Sequence, residues 1–249
     1  MKLSMRKVKA ITSFKTVSML KNLTILLAPL MAIMMTMIMK ALLPQTQESE
    51  GTVSFSTDTY ALMFGVFFNV VMGAIMMGAY PLAEEKEKHT LRVLMTSSVN
   101  SVEYFIGTII PSLGIIVIVN LLLLPLSGVH FSPFTIGIYL IYTVLISVIS
   151  LMIGFIIGMV SKNQMQAGLV GTPAMLVFTM LPMFRVFNET LAKISSYVYS
   201  GVFATFIDAS VTADGTMVSI HNMAVLGGWF ILLVCLFMYI YKRNGLEQD

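Results

Sequence analysis

The sequence predicts an all-α, polytopic membrane protein with six transmembrane helices, an N-terminal amphipathic surface helix and both termini cytoplasmic. Three observations carry this. Of its 249 residues, 57% are hydrophobic and only 11% charged, against roughly 25% charged in an ordinary soluble domain. The mean hydropathy of +0.88 is spread along the chain, which calls for several spans and not a single anchor. The Lys and Arg residues, finally, gather in alternate connections.

The first element is a basic segment, residues 1–21. At helical spacing Val8, Ile11 and Phe14 share one face and Lys2, Arg6 and Lys9 lie opposite, as in a helix at the inner membrane surface. No short apolar core with a small-residue cleavage site follows, so a removable signal peptide is not expected. Residues 22–249 then form one six-span domain. A span needs about 20 apolar residues, and six windows qualify, at about 22–43, 59–83, 103–126, 134–160, 166–186 and 223–241. An even number of spans puts both ends on one side. Lys2, Arg6, Lys7, Lys9, Lys15, Lys21, Lys86, Lys88, Arg92, Lys162, Lys242 and Arg243 all fall on that side, leaving Lys40, Arg185 and Lys193 on the other. By the positive-inside rule, both termini are cytoplasmic.

The outer connections differ among themselves. Residues 44–58 are polar and acidic, and 127–133 form a short link with Pro133. The apolar outer segment 187–222 is too interrupted to span and too apolar to float freely. Such a segment dips into the outer leaflet or plugs the exit, or simply packs over the tops of the spans; Asp214-Gly215 marks a turn. Within the spans, Pro29, Pro111, Pro173 and Pro182 invite kinks, and the two in the fifth window predict an irregular helix. Gly154 and Gly158 form a G-x-x-x-G, with further small residues at Gly73, Ala74, Gly78, Gly168 and Gly171, read chiefly as places where helices approach closely.

What is missing narrows the function. No Asp, Glu or Arg lies near a span centre, which disfavours a proton- or sodium-driven carrier relying on such relays. No Gly is followed by Lys, so the phosphate-cradling loop of a P-loop ATPase is absent; H-E-x-x-H is absent too. With one cysteine, Cys235, and three scattered histidines, no disulfide framework or thiol metal site is expected. The chain is therefore expected to be no enzyme, with no catalytic, cofactor-binding or metal residues. The 22 methionines, dense at 31–40 and 70–80, fit either adaptable apolar binding surfaces or lipid-facing filler.

Between the second and third windows runs EEKEKHTLRVLMTSSVNS, residues 84–101. On a helix over about 84–97, Glu84 and Glu85 lie four and three residues from Lys88, close enough for local ion pairs. Leu91, Leu94 and Met95 then share an apolar face, the pattern of a short helix that docks into a groove on a protein partner. Asn100 and Glu103 are spaced as a capping box for the third span.

The run Glu85-x-Glu87-x-x-Thr90-Leu91-x-x-Leu94, followed by Ser97, Val99, Glu103 and Gly107, resembles the cytoplasmic coupling segment of type-2 ATP-binding-cassette (ABC) exporter permeases. That family reads E-x-E-x-G-T-L-x-x-L, then S/T-P-V, an acidic residue and a glycine. This sequence departs from it at His89, where Gly is usual, and at Ser98, where Pro is usual. The likeness extends over the whole chain, from the basic helix to the apolar outer segment. It implies a permease subunit of an ATP-driven exporter in the cell membrane, multi-pass and bacterial cytoplasmic in setting. Two ABC ATPase subunits would hold the ATP and magnesium, and the second permease would be an identical copy or a related chain. Glu85, Glu87, Thr90, Leu91, Arg92, Leu94 and Met95 would contact the ATPase. The resemblance implies a path lined by the first, second and fifth spans, for which Met34, Met37, Asn69, Met76, Met175 and Phe178 are the candidates. Besides the lipid bilayer, the expected partner is a hydrophobic or amphipathic substrate such as a peptide, a peptide toxin, a bacteriocin or a drug, and not nucleic acid. The competing readings are an ion-coupled secondary multidrug transporter and a non-transporting sensory or structural membrane protein.

Overall fold

A computed structural model describes residues 4–43, 56–90, 101–212 and 219–244, and among these every regular element is helical. Helix α1 (Met5–Lys21) leads directly into α2 (Leu23–Leu42). Asn22 makes the corner, its side chain accepting the Thr24 amide at 3.0 Å, the hydrogen bond of an N-cap. The second long helix is built in three parts: α3 (Thr57–Phe67), a π-helical turn (Phe68–Gly73) and α4 (Ala74–Glu87). After it come α5 (Ser101–Ser127), α6 (Pro133–Val160), α7 (Gln164–Phe184), a hairpin of α8 (Glu189–Ser196) and α9 (Tyr199–Thr212), and finally α10 (Ile220–Asn244). Six of these stretches are long and apolar enough to cross a membrane.

Local sequence explains the boundaries. Ser132 accepts the Thr135 amide and Pro133 stands at the first helical position of α6, where its missing N–H costs nothing. Asn163 and Asn188 cap α7 and α8 in the same way. Contrary to the irregular helix expected of the fifth window, α7 runs unbroken through both Pro173 and Pro182.

The second span is the axis of the bundle. Its central window is 83% buried, against 11% for α10. Its tightest partner is α6, and the reason is glycine. A Cβ on Gly78 would lie 2.6 Å from the Leu151 carbonyl oxygen, and one on Gly158 would lie 2.9 Å from that of Ala79. One on Gly154 would overlap the Ile75 carbonyl. These small residues let two backbones touch, so the G-x-x-x-G is a packing surface.

Two expectations about faces change. In α1 the inward residues are Val8, Ile11, Lys15 and Met19, while Phe14 is 62% exposed. The 3.6-residue period places Lys15, not Phe14, in line with Val8, Ile11 and Met19. The helix of the second span also runs four residues past its expected end, so residues 84–87 belong to α4 and not to a separate coupling helix. Within the outer segment, the two helices α8 and α9 form a hairpin whose second arm is deeply set, while the expected turn at Asp214-Gly215 lies outside the described residues. Tyr199, Val202, Phe203, Phe206 and Ile207 are all buried. The rings of Phe203 and Phe206 meet Phe67, Tyr139 and Tyr142, and that of Tyr199 meets Phe178 and Trp229. Phe67 is ten residues into the second span, so α9 reaches about 15 Å along it. Arg185 ties the hairpin down by an ion pair with Asp208, donating also to Thr205 Oγ1 at 3.0 Å and to the Ala204 carbonyl at 3.2 Å.

Candidate functional site

Where α4 ends, charged side chains from three helices converge. Lys15 of α1 has a side chain only 2% exposed. Burial pulls its ammonium below the ordinary lysine range, and Glu85 works against that pull. Lys15 Nζ pairs with Glu85 Oε1, donates to Tyr104 Oη at 3.2 Å and lies 4.6 Å from the centre of that ring. Tyr104 Oη in turn donates to Glu85 Oε2. A closed triangle results, with one corner each on α1, α4 and α5.

Weaker contacts extend it. Asn22 Nδ2 donates to Glu84 Oε2 at 3.3 Å, and Glu84 Oε1 takes Lys88 Nζ at 2.6 Å. Exposed Lys88 is held above the usual lysine range by that carboxylate. Glu103, itself buried, accepts the Ser4 amide at 2.8 Å at the start of α1. Lys86 Nζ donates to the Met159 carbonyl at 2.8 Å, and Glu87 accepts the Gln164 amide at 3.2 Å. The last turn of α4 is thus fastened to α1, α5, α6 and α7 at once.

Of the residues expected to meet a partner, Glu87 and Thr90 are exposed. Glu85 is turned inward to Lys15, its side chain 14% exposed, and does not form the local pair with Lys88. Leu91, Arg92, Leu94 and Met95 lie outside the described residues. His89 has φ 55°, the left-handed region that favours glycine. The position where the coupling pattern carries Gly is therefore a position that needs Gly's backbone freedom. The Lys15 triangle was not foreseen. Its signal was present in the spacing of Val8, Ile11, Lys15 and Met19, since a lysine on a buried face requires a carboxylate.

The six path candidates divide between an open face and the interior, where Met76 and Met175 share one apolar cluster with Phe178 packed against it. Met34 and Met37 lie on the open face of α2, 52% and 56% exposed, whereas Asn69, Met76 and Met175 are buried. Phe178 packs between Tyr199 and Trp229, with ring centres 5.1 and 5.4 Å away. What the second span does open is a single file. Between Thr59 and Ala83 only Phe64, Phe68, Met72 and Tyr80 are partly accessible, and Met76, at 9%, completes a spacing of four. Tyr80 faces a cleft of about 410 Å³ shared with Thr24 of α2 and with Met165, Gly168 and Leu169 of α7.

Two comparisons bear on this arrangement. No curated protein matches the chain. A family model described as ABC-2 family transporter protein matches residues 6–239, which takes in five spanning helices whole and most of the sixth, together with the charged junction and the outer hairpin. The chain belongs to the ABC-2 transporter family, as a multi-pass membrane subunit of an ABC transport system.

Proposed function

We propose that the chain is the membrane half of an ATP-driven exporter, both termini cytoplasmic, working as a pair of permeases with two separate ATPase subunits. The observation that carries this is the junction around Glu85. A segment with a partner-binding pattern emerges from α4 at the point where α4 is bolted to α1 and α5. A push on residues 84–97 is then delivered to three helices together, as a chain without a P-loop needs if a partner hydrolyses the ATP. Glu87, Thr90, Leu91, Arg92, Leu94 and Met95 face the ATPase, while Glu85 acts from within by holding the lever.

The cargo is hydrophobic or amphipathic. The open file of the second span is Phe, Met and Tyr, side chains that adapt to varied apolar surfaces, and no carboxylate or base lies in the middle of any span among the described residues. The cleft between α2 and α7 is where such cargo passes. The test is purification from its own membranes followed by flux measurement in vesicles. An ABC ATPase should co-purify and efflux should require ATP. Leu91→Asp or Leu94→Asp should leave the protein inserted but abolish ATPase stimulation. Transport that follows a proton or sodium gradient without ATP would instead favour an ion-coupled carrier, and absence of flux a sensory or structural role.

A further inference from the structure

The open file of the second span conflicts with the geometry of an α-helix. At about 100° per residue, side chains four apart advance about 40° beyond a full turn, so five of them from Phe64 to Tyr80 would fan over about 160°. In this protein Phe64, Phe68, Met72 and Tyr80 stay partly accessible while their neighbours on both sides are buried, and Met76, buried at 9%, keeps more exposure than Ile75 and Met77 beside it, both at 0%. What restores the alignment lies between them. The turn Phe68–Gly73 is π-helical and takes up one more residue than an α-turn, which cancels much of the drift at mid-span.

A wide turn is held only where something outside the helix fixes it, and here polar side chains do so. Asn69, fully buried, donates through Nδ2 to the Ile116 carbonyl at 2.9 Å and to Asn120 Oδ1 at 2.7 Å. Asn120 Nδ2 donates to Thr143 Oγ1 at 3.0 Å, and Tyr139 Oη donates to the Asn120 carbonyl at 3.3 Å. The ladder joins the wide turn to α5 and α6 in the apolar interior, where an amide finds no water to replace a lost partner.

We infer that Asn69 is a positioning residue: through Asn120 and Thr143 it pins the surplus residue at Phe68–Gly73 and so keeps Phe64, Phe68, Met72, Met76 and Tyr80 in one file along the cargo path. The assignment of the file to a path rests on the proposed transport function; the alignment itself does not. Without the pin the extra residue is free to move along the helix, and the side chains that it passes turn out of the file.

The test uses the full chain in lipid nanodiscs with Cys235→Ser, and a nitroxide placed in turn at Phe64, Phe68, Met72, Tyr80 and, as a buried control, Ala74. Accessibility is read as collision with oxygen and with a nickel chelate. The four file positions should exceed Ala74 in the parent. In Asn69→Leu, Met72 and Tyr80 should fall to the level of Ala74 while Phe64 and Phe68 do not. Deleting Val70 from that variant removes the surplus, leaves an α-helix whose five positions span only about 80°, and should restore all four. A residue needed only for stability would not be rescued by removing another. If Asn69→Leu fails to fold, folding of the Val70-deleted double variant supports the assignment. An unchanged pattern in Asn69→Leu, or failure of the deletion to restore folding or accessibility, overturns it. Neither ATPase nor cargo enters the measurement, so loss of ATP-driven efflux would overturn the transport reading and leave this one standing.

Discussion

At the residue scale the molecule turns on a lysine in an unfavourable place. Lys15 is desolvated among α1, α4 and α5, and its charge is tolerated only because Glu85 and Tyr104 saturate it. Removing one partner of such a pair strands the other, at a cost of roughly 3–5 kcal/mol, whereas replacing both with apolar groups of similar volume is often neutral. Lys15→Met and Glu85→Leu should therefore each lower the unfolding midpoint in detergent by much more than the double variant does. Equal losses in all three would show that packing, not charge, holds the junction. His89 sits at positive φ, where a side chain costs roughly 1 kcal/mol relative to glycine. His89→Gly should raise stability or leave it unchanged, while His89→Val, β-branched, should lower it in the same assay.

At the element scale, the second span is what its neighbours make it. The chain's six spans and the charged exit of the second were legible in the sequence because hydropathy over about 20 residues and the placement of Lys and Arg are local properties. Which face each helix turns inward was less so. In a window as uniformly apolar as 59–83, no polar stripe marks the inside, and the file at Phe64, Phe68, Met72, Met76 and Tyr80 emerges only once α2, α6 and α7 cover the rest. Phe14 was misplaced for the opposite reason, because a basic helix with apolar residues on several sides offers more than one face. The spacing of α1 marks Lys15 as a buried residue that needs a carboxylate, but its partners at 85 and 104 are too far along the chain for a local pattern to name. Glycine separates packing from permissiveness directly. A Cβ on Gly154 overlaps the Ile75 carbonyl, while none of Gly114, Gly137 or Gly227 has an atom within 4 Å of such a position. Gly154→Ala should push α4 and α6 apart and sharply lower the yield of folded protein; Gly114→Ala and Gly227→Ala should leave it unchanged in size-exclusion profiles.

At the scale of the whole molecule, the bundle is finished on one side and open on another. The accessible edge of the second span lies where α2 and α7 both pack against it, and the outer faces of those two helices are rich in bulky side chains, with Leu30, Met34 and Met37 on α2 and Leu169, Leu176 and Val177 on α7 all about half exposed or more. Lipid could cover that surface, but lipid alone would leave a cargo path with no second wall. In the proposed pair of permeases, a second copy laid across α2 and α7 would supply one, and the Phe and Met file would then face its counterpart across the seam. That pairing would leave the weakly buried α10, which carries exposed Cys235, to lipid. Cysteine at Met34 or Met37, introduced with Cys235→Ser, should form copy-to-copy disulfides in native membranes under mild oxidation. The unmodified chain, whose single cysteine is on α10, should remain monomeric on the same non-reducing gel. If Cys235 cross-links and the α2 positions do not, the seam lies on α10 and the path must be sought there.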